Sequence, residues 1–277
     1  MRSRFPGYAV LVTHYALSAY HMTNTLTPPI LLKVGGNEID DDGFLAGFVA
    51  AVAELRQHTP VVIVHGGGKE IGELHQRLGV PFEFVDGLRV TTAGSLRLVE
   101  MVLSGLVNTR LTRWLVNGGV QALGASGVDL GIVRVEPLRP NGQDIGYVGR
   151  IVAVQADPLR RWLAEDVTPV ISPISLGTDG QSYNVNADQV AAAVAVAVGA
   201  SRLVFVSNVP GVLLEGAAAT KLTIDQAEAH IASGQIFGGM IPKVRAAIEA
   251  VQTGVPAAVI TNLAGLAASG GTVIAER

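Results

Sequence analysis

Two short apolar runs, each ending in glycines and separated by one helical stretch, constrain this chain more than any other feature. Residues 30–34 run into Gly35-Gly36, residues 41–57 carry apolar positions at helical spacing, and residues 61–64 run into His65-Gly66-Gly67-Gly68. Strand, helix and strand in that order predict a parallel βαβ unit. The composition can close a core around it: of 277 residues, 49 % are hydrophobic and only 16 % charged, which excludes intrinsic disorder. A chain of this length fits one large α/β domain or two lobes.

The pattern continues along the chain. A second helix is expected from Gly68, with Ile71, Leu74 and Leu78 on one face, then a hairpin over 82–90 turning at Asp86-Gly87. Helical spacing returns over 92–116, a strand is expected near 120–123, and segments 132–136 and 147–154 form a second hairpin across Pro140-Asn141-Gly142. Helices over 157–165, 187–198, 223–233 and 242–252 alternate with strands at 168–172, 202–207, 257–261 and 272–275. The polar stretch 177–182 is the best candidate for a boundary between lobes.

Charge and cysteine content remove several function classes. A net charge of -3 offers no basic field for nucleic acid or for an anionic membrane. With no cysteine there are no disulfides, thiolate nucleophiles or cysteine-held metals, and a reducing cytoplasm is the expected compartment. The longest uncharged apolar stretch of the body, 190–200, is about half the roughly 20 residues of a spanning helix and reads as a buried helix. Arg2 and Arg4 precede an apolar stretch, 8–20, in the manner of a signal peptide, but His14, Ser18 and three tyrosines interrupt it. A short accessory helix, or translation that begins at Met22, is the expectation there.

Glycines at the carboxyl ends of parallel strands let backbone N–H groups approach an anion, and the helix that follows adds its positive end. Two such turns on consecutive strands converge at one sheet edge. Neither fits a common nucleotide fingerprint. Ile63 stands where a P-loop needs its first glycine, and Ile71 where the dinucleotide motif needs its third. Lys33 ends a buried strand, where an ammonium faces either solvent at a strand end or a ligand or carboxylate. Lys243 sits at a helix start, where a cation opposes the dipole unless an anion binds. Arg89, just past the Asp86-Gly87 turn, is either solvated or a two-pronged carboxylate clamp. Asn186 and Asp188 suit the cap and first turn of a helix, which leaves Asn184 unexplained, and His65 reads as a structural hydrogen-bonding residue.

In order along residues 30–275, these segments resemble the amino-acid kinase family, and within it the acetylglutamate kinases. The matching runs are Lys33-Val34-Gly35-Gly36-Asn37, Val64-His65-Gly66-Gly67-Gly68, Asp86-Gly87-Leu88-Arg89-Val90-Thr91, Asn184-Val185-Asn186-Ala187-Asp188-Gln189, Ser207-Asn208-Val209-Pro210-Gly211-Val212 and Gly239-Met240-Ile241-Pro242-Lys243. The resemblance implies a three-layer αβα sandwich with a mainly parallel sheet. Residues 1–28 would be an extension, 29–178 a lobe for acetylglutamate and 179–277 a lobe for ATP. It also implies ATP-dependent phosphorylation of the side-chain carboxylate of N-acetyl-L-glutamate, in arginine synthesis, with Mg²⁺ carried on the nucleotide phosphates. By the same resemblance Gly67, Gly68, Arg89 and Asn184 hold acetylglutamate, Lys33 and Lys243 stabilise the transferring phosphoryl group, and Asp188 orients the lysines. Gly35, Gly36, Asn208, Gly211, Val212 and Leu213 would line the phosphate and nucleotide site.

Asn208 departs from the family, which often carries Asp there, and the run at 207–211 also resembles the kinase of carrier-protein-linked aminoadipate in lysine synthesis. The hairpin at 86–91 and the absence of a basic dock weigh against that reading. A non-catalytic amino-acid sensor of the same fold is disfavoured by retention of both Lys33 and Lys243. Arginine-inhibited members are hexamers whose arginine site includes an acidic residue before Gly-x-Gly-Thr. Residues 261–272 here contain no carboxylate, so a homodimer insensitive to arginine is expected, with a hexamer as the alternative.

Overall fold

Strand β1 (Ile30–Val34), helix α1 (Asp42–Leu55), β2 (Val61–His65) and α2 (Gly68–Arg77) build the expected unit in a computed structural model that describes residues 27–36 and 38–277. The β3 (Phe84–Val85) and β4 (Leu88–Arg89) hairpin follows, turning through Asp86 and Gly87 at positive φ of 49° and 78°. Helix α3 (Ala93–Glu100) runs through a π-helical segment (Met101–Val107) into α4 (Asn108–Asn117). Next come β5 (Ala122–Gly127), β6 (Val133–Pro137), β7 (Gly149–Val154), α5 (Ala156–Ala164), β8 (Thr168–Gly177) and β9 (Ser182–Asn184). After α6 (Ala187–Val198) and β10 (Arg202–Val206) comes a small hairpin, β11 (Leu213–Leu214) and β12 (Ala217–Ala218). The chain ends with β13 (Lys221–Thr223), α7 (Ile224–Ala232), α8 (Met240–Gln252), β14 (Ala258–Thr261), α9 (Leu263–Ala267) and β15 (Thr272–Ala275).

One mostly parallel sheet runs β13-β15-β14-β10-β1-β2-β8-β6-β7, with β5 and β9 also paired to β8. β1 lies at its centre. Val34 is level with Val206 of β10 on one side and His65 of β2 on the other, so three strands end together and their turns share one edge.

Alternation along the central strands divides the core in two. Leu31, Val62, Val64, Leu203 and Phe205 pack with the apolar faces of α5, α6 and α8. Ile30, Leu32, Val34, Val61, Ile63 and Val204 pack with α1, α4 and α9 on the opposite face. These layers are the αβα sandwich. Lys33 shares the parity of Leu31, so β1 presents it on the α6 side. Helix α6 begins where the Asn186 side chain accepts the Asp188 N–H at 2.7 Å, and it ends at Gly199 with φ 71°. Its Val and Ala side chains keep it close to the sheet.

Several elements depart from the sequence expectation for physical reasons. Leu78 does not join Ile71 on the buried face: α2 stops at Arg77, Gly79 turns left-handed at φ 65°, and Leu78 is exposed. The strand expected at 120–123 lies instead at Ala122–Gly127, built of small residues with no β-branched signal. A Cβ on Gly124 would stand 2.2 Å from the Asn108 Oδ1, so the glycine makes room for α4. In the polar stretch 177–182, where a boundary between lobes is expected, residues 178–181 make the turn from β8 into β9, which pair antiparallel. No helix among the described residues is long and apolar enough to cross a membrane. The expectations for residues 1–26, including a start at Met22, lie outside the described residues, as does Asn37.

Candidate active site

The shared edge of β2, β1 and β10 opens into a cleft of about 550 Å³. Lys33 reaches it from the end of β1 and Lys243 from the first turn of α8, which starts at Met240, two residues earlier than its apolar spacing suggests. Asp188, in the first turn of α6, holds the Lys33 Nζ at 2.8 Å. Both partners are largely shielded, with side-chain exposures of 18 % and 32 %, so the pair keeps the ammonium in place at a strand end where it would otherwise be costly. Lys243 has no ion-pair partner among the described residues.

The two glycine turns face each other across the cleft floor. A Cβ on Gly36 would stand 2.7 Å from the Gly67 Cα, a separation only glycine tolerates against backbone. Gly66 donates its N–H to the Val34 carbonyl at 2.9 Å, which ties the second turn to the first. Gly67 and Gly68 open α2, so its N-terminal N–H groups lie at the same edge.

Arg89 projects from the β3–β4 hairpin. Its guanidinium lies 4.4 Å from the Phe82 ring centre and 4.8 Å from that of Phe84, and its Nη2 donates to the Gly68 carbonyl at 3.3 Å. Burial pushes its pKa down from the ordinary value. Nη1 is buried with no hydrogen-bond partner among the described residues, a cost that a bound carboxylate would remove. Asn184 ends β9 and donates from Nδ2 to the Thr91 Oγ1 at 3.2 Å, and Thr91 in turn donates to the Arg89 carbonyl at 2.9 Å. The hairpin and β9 are thereby fastened together beside the cleft.

Lys33, Gly35, Gly36, Gly67, Gly68, Arg89, Asn184, Asp188 and Lys243 therefore meet in one place. The rest of the expected nucleotide segment lies apart from them. Asn208 is exposed beside Ser207, which does line the cleft. Gly211–Leu213 run toward the sheet edge, where the Val212 N–H donates to the Thr272 Oγ1 at 2.8 Å. The Val212 side chain is in the core, while Leu213 is exposed.

His65 lies beneath the glycine turn and is fully buried. Burial holds its pKa at about 4, below the ordinary 6.5, so the ring is neutral. The unfolded chain takes up this proton near pH 6.5 and the folded chain only near 4. The stabilisation is complete above pH 6.5 and falls by about 1.4 kcal/mol per pH unit on the way down, about 3 kcal/mol in all. We expect the urea midpoint to drop steeply between pH 6.5 and 4, and less steeply in His65→Asn. Equal slopes for the two proteins would refute this.

A profile of the amino acid kinase family matches residues 28–262. The chain belongs to that family. It is 50 % identical to the acetylglutamate kinase of Chloroflexus aggregans over 89 % of its own length and 96 % of that protein. It is 52 % identical to the acetylglutamate kinase of Roseiflexus sp., covering 90 % and 95 %. Among solved structures, smu.665 from Streptococcus mutans superposes with a TM-score of 0.76 at 32 % identity, covering 90 % of this chain and 98 % of that one.

For this member of the amino acid kinase family, sequence reasoning overlooked several residues at the cleft. Glu38 and Lys69 line it, and Lys69 is held by Asp40 at 2.5 Å; Ser207, expected only as the start of the nucleotide run, lines it too. Phe84 was legible in principle. A two-residue turn at Asp86-Gly87 pairs position 84 with 89, which puts an aromatic ring beside the arginine.

Proposed function

We propose that this chain transfers the γ-phosphoryl group of ATP to the side-chain carboxylate of N-acetyl-L-glutamate. One observation carries the chemistry. Two lysines from separate elements, two facing glycine turns and a ring-flanked arginine converge on one cleft, and the relatives with half or more of the sequence identical are acetylglutamate kinases.

A carboxylate with a pKa near 4.3 is already ionised at neutral pH, so the nucleophile needs no general base. One of its oxygens forms the new bond to the γ-phosphorus, the bond from that phosphorus to the bridging oxygen breaks, and ADP leaves. Repulsion between anions is the main barrier, and preorganised cations and N–H groups lower it. In this reading Lys33, steadied by Asp188, and Lys243 face the transferring group. Gly35, Gly36 and the Asn208–Leu213 segment serve the nucleotide, while Gly67, Gly68, Arg89 and Asn184 hold acetylglutamate. The carboxylates of Asp188 and Glu38 are hard oxygen donors, suited to a Mg²⁺ that takes its other ligands from phosphate and water. When bound, Mg²⁺ neutralises part of the phosphate charge.

ATP turnover measured side by side with acetylglutamate, glutamate, aspartate and carrier-linked aminoadipate tests the reading. Acetylglutamate should be the preferred acceptor by at least about a hundredfold in kcat/KM, the scale of leaving buried polar groups unpaired. Preference for the carrier-linked acceptor would overturn it.

Arg89→Lys keeps the charge but loses the planar fork and its stacking between the rings. KM for acetylglutamate should rise about tenfold, matching roughly 1.4 kcal/mol for a charge-assisted hydrogen bond, with KM for ATP nearly level. Equal effects on both substrates would count against the clamp.

A further inference from the structure

Asn108 was absent from every expectation drawn from the sequence, yet it is 5 % exposed and bonded to three separate strands. It is the first residue after the π-helical segment. Its Nδ2 lies 2.9 Å from the Val170 carbonyl of β8, 3.3 Å from the Ala125 carbonyl of β5 and 3.0 Å from the His65 Nε2. Carbonyl oxygens only accept, so this end of the side chain is the NH₂ group, and it can only donate to His65. His65 Nε2 is then the acceptor and Nδ1 carries the proton. Nδ1 stands 2.9 Å from the Gly66 carbonyl and donates to it.

That contact has a directional consequence. In a trans peptide the carbonyl and the following N–H point opposite ways, so drawing the Gly66 carbonyl down to His65 turns the Gly67 N–H away from the ring. Gly67 N lies on the side facing Gly36, 2.9 Å from where a Cβ on Gly36 would be. The π-helical segment closes on the same peptide from another side: a Cβ on Gly67 would stand 2.8 Å from the Leu103 Cδ2 and 3.3 Å from the Val107 Cγ2.

We propose that Asn108 and His65 are positioning residues. Asn108 selects the Nδ1–H tautomer of His65, and that N–H orients the Gly66–Gly67 peptide so that the Gly67 N–H faces the anion in the cleft. The inference rests on the kinase reading for its kinetic consequence alone, because the tautomer is a property of the free protein.

Two variants of the same residue separate positioning from packing. The amide of His65→Asn can occupy the place of Nδ1 and donate to the Gly66 carbonyl. The amide of His65→Gln reaches the place of Nε2, meeting Asn108 and leaving the carbonyl free. His65→Asn should keep kcat within about threefold, while His65→Gln should lose about 10–100-fold, the usual scale for an outer-shell partner, with KM for ATP nearly unchanged. Nitrogen NMR of the ligand-free protein should show His65 as the Nδ1–H tautomer, and Asn108→Ala should shift it toward a mixture. Equal kcat for the two His65 variants, or an Nε2–H tautomer in the native protein, would overturn the proposal. Native protein that shows the Nδ1–H tautomer but does not phosphorylate acetylglutamate would instead refute the functional reading.

Discussion

Lys33→Ala and Lys243→Ala should each lower kcat by about 10²–10³, the scale of losing one preorganised electrostatic donor. The fall should appear mainly in kcat, because the charge these lysines oppose is the one that develops during transfer. Lys33→Ala also removes the partner of Asp188, only 2.8 Å away, and leaves that carboxylate uncompensated. The Lys33 variant should therefore lose some thermal stability as well. Lys243, with no such partner among the described residues, should lose activity with little change in melting temperature. Steady-state kinetics and thermal melts read both effects. Near-normal kcat with only a raised KM would remove that lysine from phosphoryl stabilisation.

Gly36→Ala should be nearly as damaging without touching any charge. The added Cβ would meet the Gly67 Cα at 2.7 Å and Gly67 N at 2.9 Å, and both are backbone atoms that cannot swing aside as a side chain would. One glycine turn must move by a sizeable fraction of an ångström, and a displacement of about 1 Å at a reacting site can cost about 10²-fold in rate. Gly105→Ala is the matched control. No atom lies within 4 Å of its Cβ position, and it stands exposed in the π-helical segment and does not line the cleft, so activity should stay within a few-fold and stability should hold or rise slightly. Similar losses in the two variants would show that the close approach of the turns is not what matters.

The order of elements was legible because the signals that encode it are local. Short continuous apolar runs at 30–34, 61–64 and 202–207 mark strands buried on both faces, and the alternation of side chains along a strand assigns Leu31 and Leu32 to opposite core layers. Asn186 and Gly199 delimit α6 through cap chemistry that acts within a few residues. Asp86-Gly87 sets the hairpin turn because both positions take positive φ. The residue types at the cleft were legible for a similar reason: a lysine ending a buried strand, or glycines after parallel strands, are unusual enough to ask for an anion.

Only the tertiary structure decided how these pieces meet. β10 comes to lie against β1 although most of the chain separates them, and that pairing is what carries Asp188 to Lys33 and Lys243 to the same edge. β5 is a strand because β8 offers it a ladder and α4 needs a surface without side chains, whereas its own small residues carry no preference. The π-helical segment answers to Gly67 and His65 on other elements, so nothing in residues 101–107 alone announces it. Local dihedral and capping preferences act over a few residues and are written along the chain, while pair distances between remote residues depend on the closed core that brings them together.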